Sequence, residues 1–169
     1  YHSYILIFNV LLFVNKKAMV ALRLSKAQIL QTCVEKQLRT IDDFQREIAE
    51  LKVQLFEREE TESQEHRTSP ERQELLLRME HELAFLNNEM AVLRQIKSDV
   101  ELDEVELGAV VVTNQRTFFI STSIERIEVE GQSVIGISVK APIYRAKREK
   151  KAGQSFLYGG VRFDILEVY

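Results

Sequence analysis

The stretch that decides the fold is LQTCVEKQLRTIDDFQREIAELKVQL, residues 30–55. Val34, Ile41, Ile48 and Leu55 recur every seven residues, and Leu30, Gln37, Phe44 and Leu51 form a second column with the same period. Apolar residues on a grid of about 3.5 residues make one stripe along a helix, the seam of a coiled coil. Gln37 is the single polar residue in that seam. A matching grid lies downstream, with Leu76, Leu83 and Met90 in one column and Met79, Leu86 and Leu93 in the other. Between the two, residues 61–70 carry no seam residue, and Ser69-Pro70-Glu71 has the order of a helix start: a hydroxyl cap, a proline at the first helical position and an acid in the first turn.

Two seams around one short break predict an antiparallel helical hairpin spanning 19–98, its helices each about 30 residues long, an arm reaching roughly 45 Å at about 1.5 Å per residue. A seam that pairs with a second chain, giving a dimeric scaffold, is the alternative; a monomer is expected from the hairpin. Cys33 sits beside the seam as a small buried or half-buried apolar residue.

Beyond residue 98 the period changes. Residues 105–113 and 116–121 are apolar runs separated by Asn114-Gln115, IERIEV at 124–129 alternates, and residues 133–138 follow Glu130-Gly131-Gln132. Residues 155–158 and 161–169 flank Gly159-Gly160, the signal of a two-residue hairpin. Only 142–151, opened by Pro142, reads as helix. The expected class is therefore α+β, with a compact antiparallel-sheet domain over 104–169 following the arm.

Composition agrees with a folded chain. Of 169 residues, 45% are hydrophobic, and Gly and Pro number only 6 and 2, which excludes collagenous, low-complexity and wholly disordered classes. A net charge of −3 argues against broad binding to bare nucleic acid, and the single cysteine excludes an intrachain disulfide, so a cytoplasmic location is expected. The stretch YILIFNVLLFV at 4–14 is shorter than the roughly 20 residues that cross a bilayer and has no basic region ahead of it. Residues 1–18 are read as an artefact upstream of a start at Met19, with a membrane-skimming anchor, or an element packed on the body, as alternatives.

Charge gathers at two places. EREETESQE at 57–65, within a hairpin tip spanning 57–67, holds five Glu against one Arg. Such a run is either a solvated loop or a set of carboxylates that an arm can carry into a pocket and onto a hard cation. Arg145, Lys147, Arg148, Lys150 and Lys151 form the basic counterpart, either a solvated helix face or a docking surface for an acidic or phosphate-bearing partner. Neither a nucleophile elbow nor a glycine-rich phosphate loop is present.

This order of features resembles the Gre family of bacterial transcript-cleavage factors. The likeness rests on VELGAVVVTNQRTFFIST at 105–122, on GQSVIGISVKAPIYRAKREKKAGQSF at 131–156, within which Ile137 to Gly153 looks like a family phrase, and on GGVRFDILEVY at 159–169; the order of these features carries it rather than any single motif. The resemblance implies an FKBP-like C-terminal domain that docks on RNA polymerase at the rim of its secondary channel, through Lys140, Ala141, Pro142, Arg145, Lys147 and Arg148. It implies that the arm enters the channel, where Glu62 and Glu65 stand at the spacing of the family's paired tip acids and help hold Mg²⁺ for cleavage of backtracked RNA.

On this reading the chain is a transcription elongation factor, stimulating the polymerase's own cleavage rather than acting as an enzyme. It holds no cofactor tightly, uses Mg²⁺ only within the polymerase active site, meets nascent RNA and DNA only through the elongation complex, and touches no membrane unless residues 1–18 are native. The chain departs from the family pattern where Glu62 replaces an Asp and where Lys140-Ala141 precedes Pro142. A channel-binding regulator without cleavage is the runner-up. A prolyl isomerase is a further class, against which stands the lack of an aromatic-lined proline pocket in the sequence.

Overall fold

A computed structural model describes residues 23–61 and 70–169 of the chain. The apolar stretch at 4–14, Met19, and the tip acids Glu62 and Glu65 lie outside the described residues.

Two long helices come first, α1 at Lys26–Thr61 and α2 at Pro70–Gln95. Pro70 opens α2 with Glu71 in its first turn, as expected, while the expected cap Ser69 lies outside the described residues. The helices pack antiparallel: the Gln37 Nε2 donates to the Leu86 carbonyl at 2.9 Å near the sheet, and Lys52 pairs with Glu80 at 2.7 Å further out. Both seams face inward. Ile41, Ile48, Leu86, Met90 and Leu93 are buried, with Leu30, Val34, Phe44 and Leu83 packed partly buried against the same core. Cys33 is buried there as well, and its burial pushes the thiol up to about 12. At 36 residues, α1 is about 54 Å long.

The rest is a six-stranded sheet with one short helix. Its strands are β1 (Val110–Thr113), β2 (Thr117–Ser121), β3 (Ile127–Val129), β4 (Gln132–Ser138), β5 (Ser155–Tyr158) and β6 (Val161–Val168), with α3 (Pro142–Lys147) between β4 and β5. The order across the sheet is β3-β4-β2-β1-β6-β5. Together with the helices this makes an α+β chain.

The sheet is not purely antiparallel, which corrects the expectation. β2 and β4 pair in parallel, with Phe119 opposite Gly136. The reason is topological. The chain leaves β2, crosses past the place β4 will occupy, forms β3 at the edge, and reverses through Glu130-Gly131 (φ 49° and 75°) to lay β4 between β3 and β2. Two reversals return it to the direction of β2. The crossing segment passes so close to Gly136 that a Cβ there would stand 2.8 Å from both the Ile124 Cβ and the Thr122 carbonyl oxygen. The hairpin at Gly159-Gly160 forms where the sequence places it, both glycines taking positive φ (58° and 76°).

Both faces of the sheet are covered, and strand alternation divides the side chains between them. Val110, Phe119 and Val134 lie on the face that joins Ile29, Met90 and Leu93 of the helices in one core. Val111, Phe118, Ile120, Phe163 and Ile165 form a second core on the other face, closed by Ile143, Tyr144 and Ala146 of α3. Burial on both faces is why VVV and FFI read as continuous apolar runs.

Polar contacts tie the arm to the sheet. The Tyr169 hydroxyl donates to the Leu24 carbonyl at 2.9 Å, and Arg23 lies over the Tyr169 ring, 3.9 Å from its centroid, while pairing with Glu101 and Glu167. Lys26 Nζ donates to the Val100 carbonyl at 2.6 Å. Buried Glu89 of α2 accepts the Ser123 N–H at 3.2 Å, so the crossing segment is held from the arm side too.

Candidate docking surface around the short helix

The residues expected to meet a partner lie on and just before α3. β4 ends at Ser138, whose hydroxyl accepts the Lys140 N–H at 3.2 Å and whose carbonyl accepts that of Ala141 at 2.9 Å. Ala141 takes an extended conformation (φ −68°, ψ 141°), the one a residue before proline prefers, and Pro142 starts the helix. The helix ends as Arg148 turns extended (ψ 138°) and Glu149 adopts φ 61°; the Glu149 N–H then bonds the Val105 carbonyl, and the Val105 N–H bonds that of Lys150. α3 is thereby pinned between the end of β4 and residue 105.

This geometry sorts the basic run. Lys140, Pro142, Arg145 and Arg148 are exposed, and Ala141 is partly so. Arg148 is engaged by its neighbour: Glu149 accepts from the Arg148 Nε at 2.7 Å, and that contact raises the guanidinium further above its ordinary range. Lys151 pairs with Asp103 at 2.8 Å, which holds the Asp103 carboxyl below its usual value and raises Lys151. Among the described residues, Lys140 and Arg145 make no ion pair. The surface is therefore less basic than five cations in seven positions suggest, with its exposed uncompensated charge at Arg145 and at Lys140 just ahead of the run, while Lys150 is half-buried.

Lys147 departs from the expected basic face. Its side chain is wholly buried, with Nζ 3.5 Å from the centroid of Phe118 and 5.7 Å from that of Phe156. No hydrogen-bond acceptor reaches Nζ. Burial alone lowers its pKa from 10.5 to about 7. The sequence did carry a signal for this placement: Lys147 stands four residues after Ile143 and three after Tyr144, on the same helical face as the residues that enter the core.

The two proposed tip acids are not brought into view with this surface, since residues 62–69 lie outside the described residues. Among the described residues, no group of three or more His, Cys, Asp or Glu side chains is arranged to hold a metal ion, and no helix is long and apolar enough to cross a membrane. What the sequence reading missed is the junction: Glu89, Arg23 and Tyr169, single polar residues without a motif, fix the arm on the sheet.

No family model matches this chain, and no curated protein does. Among solved structures, the crystal structure of the GreA factor homolog Gfh1 of Thermus thermophilus is similar over 80% of this chain and 94% of that one, at 12% identity and a TM-score of 0.30.

Proposed function

We propose that this chain is a Gre-type transcription elongation factor, which binds RNA polymerase at the secondary channel and stimulates cleavage of backtracked RNA. The observation that carries the reading is the order of features: a long helical pair followed by a sheet domain whose sequence, Ile137 to Gly153 included, resembles that family. The two long helices make the reading physically workable, because α1 alone measures about 54 Å and a narrow channel admits an arm where it excludes a globular body. Lys140 and Arg145, exposed and without ion pairs, are the cations left to meet acidic groups on the polymerase rim, with Pro142 between them.

Glu62 and Glu65 would supply carboxylate oxygens to Mg²⁺ in the polymerase active site. Hard oxygen donors suit that ion, and two of them leave most of its octahedral shell to the polymerase, its substrate and water. When bound, the ion supplies Lewis-acid activation of the attacking water. The second reading, a channel-binding regulator without cleavage, is favoured by Glu62 standing where the family has Asp, since the longer side chain sets its carboxylate differently.

The decisive assay uses stalled, backtracked elongation complexes. The wild-type chain is expected to shorten the RNA, and the Glu62→Ala/Glu65→Ala double variant to bind equally well with at least about a tenfold loss of cleavage. Binding without RNA shortening by the wild-type chain selects the regulator reading. Absence of binding to the polymerase refutes both.

A further inference from the structure

We propose that α3 is a proton-linked latch, which opens away from the sheet by taking one proton onto Lys147 Nζ and shuts by shedding it. This goes beyond the polymerase reading and does not depend on it.

The geometry sets the charge state of the shut form. Lys147 Nζ is sealed beneath α3 against Phe118 and Phe156, with no carboxylate, carbonyl or hydroxyl in hydrogen-bond reach. A desolvated cation over an aromatic face gains on the order of 2 kcal/mol, whereas an ammonium removed from water without hydrogen bonds loses several times that. The amine is therefore docked neutral. A neutral amine of this kind tolerates the ring face, and the four-carbon stem fills the core as an apolar chain would.

No neighbouring charge alters that balance. On α3 and its C-terminal extension, Arg145 is exposed, Arg148 is bound to Glu149, Lys150 is half-buried with its N–H on the Lys147 carbonyl, and Tyr144 is only partly buried, its phenol raised mainly by burial. From the segment packed against the helix end, Asp103 and Glu104 face Lys151, and Glu106 is exposed. β2 and β4 contain no titratable residue; β5 has only Tyr158, exposed, and on β6 Arg162 pairs with Asp164. Lys147 titrates against burial alone.

Opening α3 is a local event: the helix has 6 residues, and lifting it breaks the two bonds that hold its C-terminal end to residue 105 and uncovers Ile143, Tyr144 and Ala146. Of its 6 residues Pro142 has no N–H, and the helix is closed by Tyr144 N–H to Ala141 carbonyl and Arg148 N–H to Tyr144 carbonyl. Once it lifts, Lys147 enters water and regains its proton. Between about 7 and its ordinary value of 10.5, the open state then holds one more proton than the shut state. Opening grows about tenfold for each unit of falling pH across that interval and levels off below it.

Amide hydrogen exchange on the full chain tests this, with rates corrected for the intrinsic pH dependence of exchange. The Tyr144 and Arg148 amides are expected to exchange through an opening more populated than that exposing Phe119, and its population to fall about tenfold per unit between pH 7.5 and 9. In Lys147→Met, which fits the same space without a charge, the slope should vanish. A flat wild-type profile, a slope retained in Lys147→Met, or α3 amides as protected as Phe119 overturns the latch. Nitrogen NMR of Lys147 Nζ in the wild-type chain gives a reading independent of any variant: titration near pH 7 supports the latch, and an ammonium persisting above about pH 9 refutes it.

Discussion

Gly136→Ala tests the crossing that makes the sheet mixed. The added methyl would sit 2.8 Å from the Ile124 Cβ, 2.8 Å from the Thr122 carbonyl oxygen and 3.1 Å from the Ile124 N. Two of those three atoms are backbone, so no rotamer change relieves the contact; the crossing segment must retreat by about 1 Å to restore ordinary van der Waals distances. That retreat acts on the hydrogen bond from Gly136 N to the Ile124 carbonyl, now 3.0 Å, and loosens Ile124, which is buried. A weakened backbone bond costs about 1 kcal/mol and overpacking at a buried site about 1–3, so a loss of about 2–4 kcal/mol is expected. For a chain of this size, that lowers the melting temperature by roughly 4–16 °C. Urea unfolding followed by circular dichroism measures the first quantity and a thermal melt the second. Because Ser123 donates to Glu89 from the same segment, its amide should also lose protection. Stability within about 0.5 kcal/mol of wild type, with Ser123 protection unchanged, would refute the claim that glycine is required at this crossing.

Two further expectations concern the helices. Cys33 is buried and its thiol pushed up to about 12, so it should resist a thiol reagent in the native chain and react only on unfolding; rapid native labelling would contradict its placement. Gln37→Leu should leave stability unchanged or raise it by up to about 1 kcal/mol, because the Leu86 carbonyl that Gln37 meets lies inside α2 and keeps its helical partner. A loss of more than about 1 kcal/mol in urea unfolding would mean that the amide secures more than that one contact.

The helices were legible because their signal is repetitive. Seven of the eight seam positions from Leu30 to Leu55 vote for the same stripe, and the single exception, Gln37, does not blur it. The Gly159-Gly160 hairpin was legible for another reason: a turn needing positive φ at two successive residues is stated by two glycines. The parallel pairing of β2 and β4 was not legible, because nothing within either strand encodes the direction of its neighbour. That direction follows from where β3 lands, and its trace in the sequence is one glycine. Lys147 was obscured by its company. Four other cations in seven positions read as a solvated face, and the helical spacing from Ile143 that places Lys147 inward was the weaker pattern. The junction left no pattern at all, since Glu89, Arg23 and Tyr169 act across 34, 78 and 145 residues of sequence.

That junction bears on function more than its energy suggests. A rotation of about 5° at the base of a helix about 54 Å long displaces its far end by roughly 5 Å, while a misplacement of about 1 Å is enough to spoil a reacting geometry. On the function proposed above, an arm that delivers carboxylates to a site in another protein needs its angle fixed where it leaves the sheet. Here one apolar core runs without interruption from Ile29 and Leu93 to Phe119 and Val134. Around that core, polar contacts reach the helices and the segment just ahead of them from three sides: Tyr169 on the Leu24 carbonyl, Lys26 on the Val100 carbonyl, and Glu89 on the crossing segment. Contacts at separate points resist rotation about different axes, which a single hydrophobic patch cannot do because sliding costs it little buried area. The mixed sheet enters this logic as well. The crossing past Gly136 is what presents the Ser123 N–H to Glu89, so the strand order that the sequence hid is also what braces the arm.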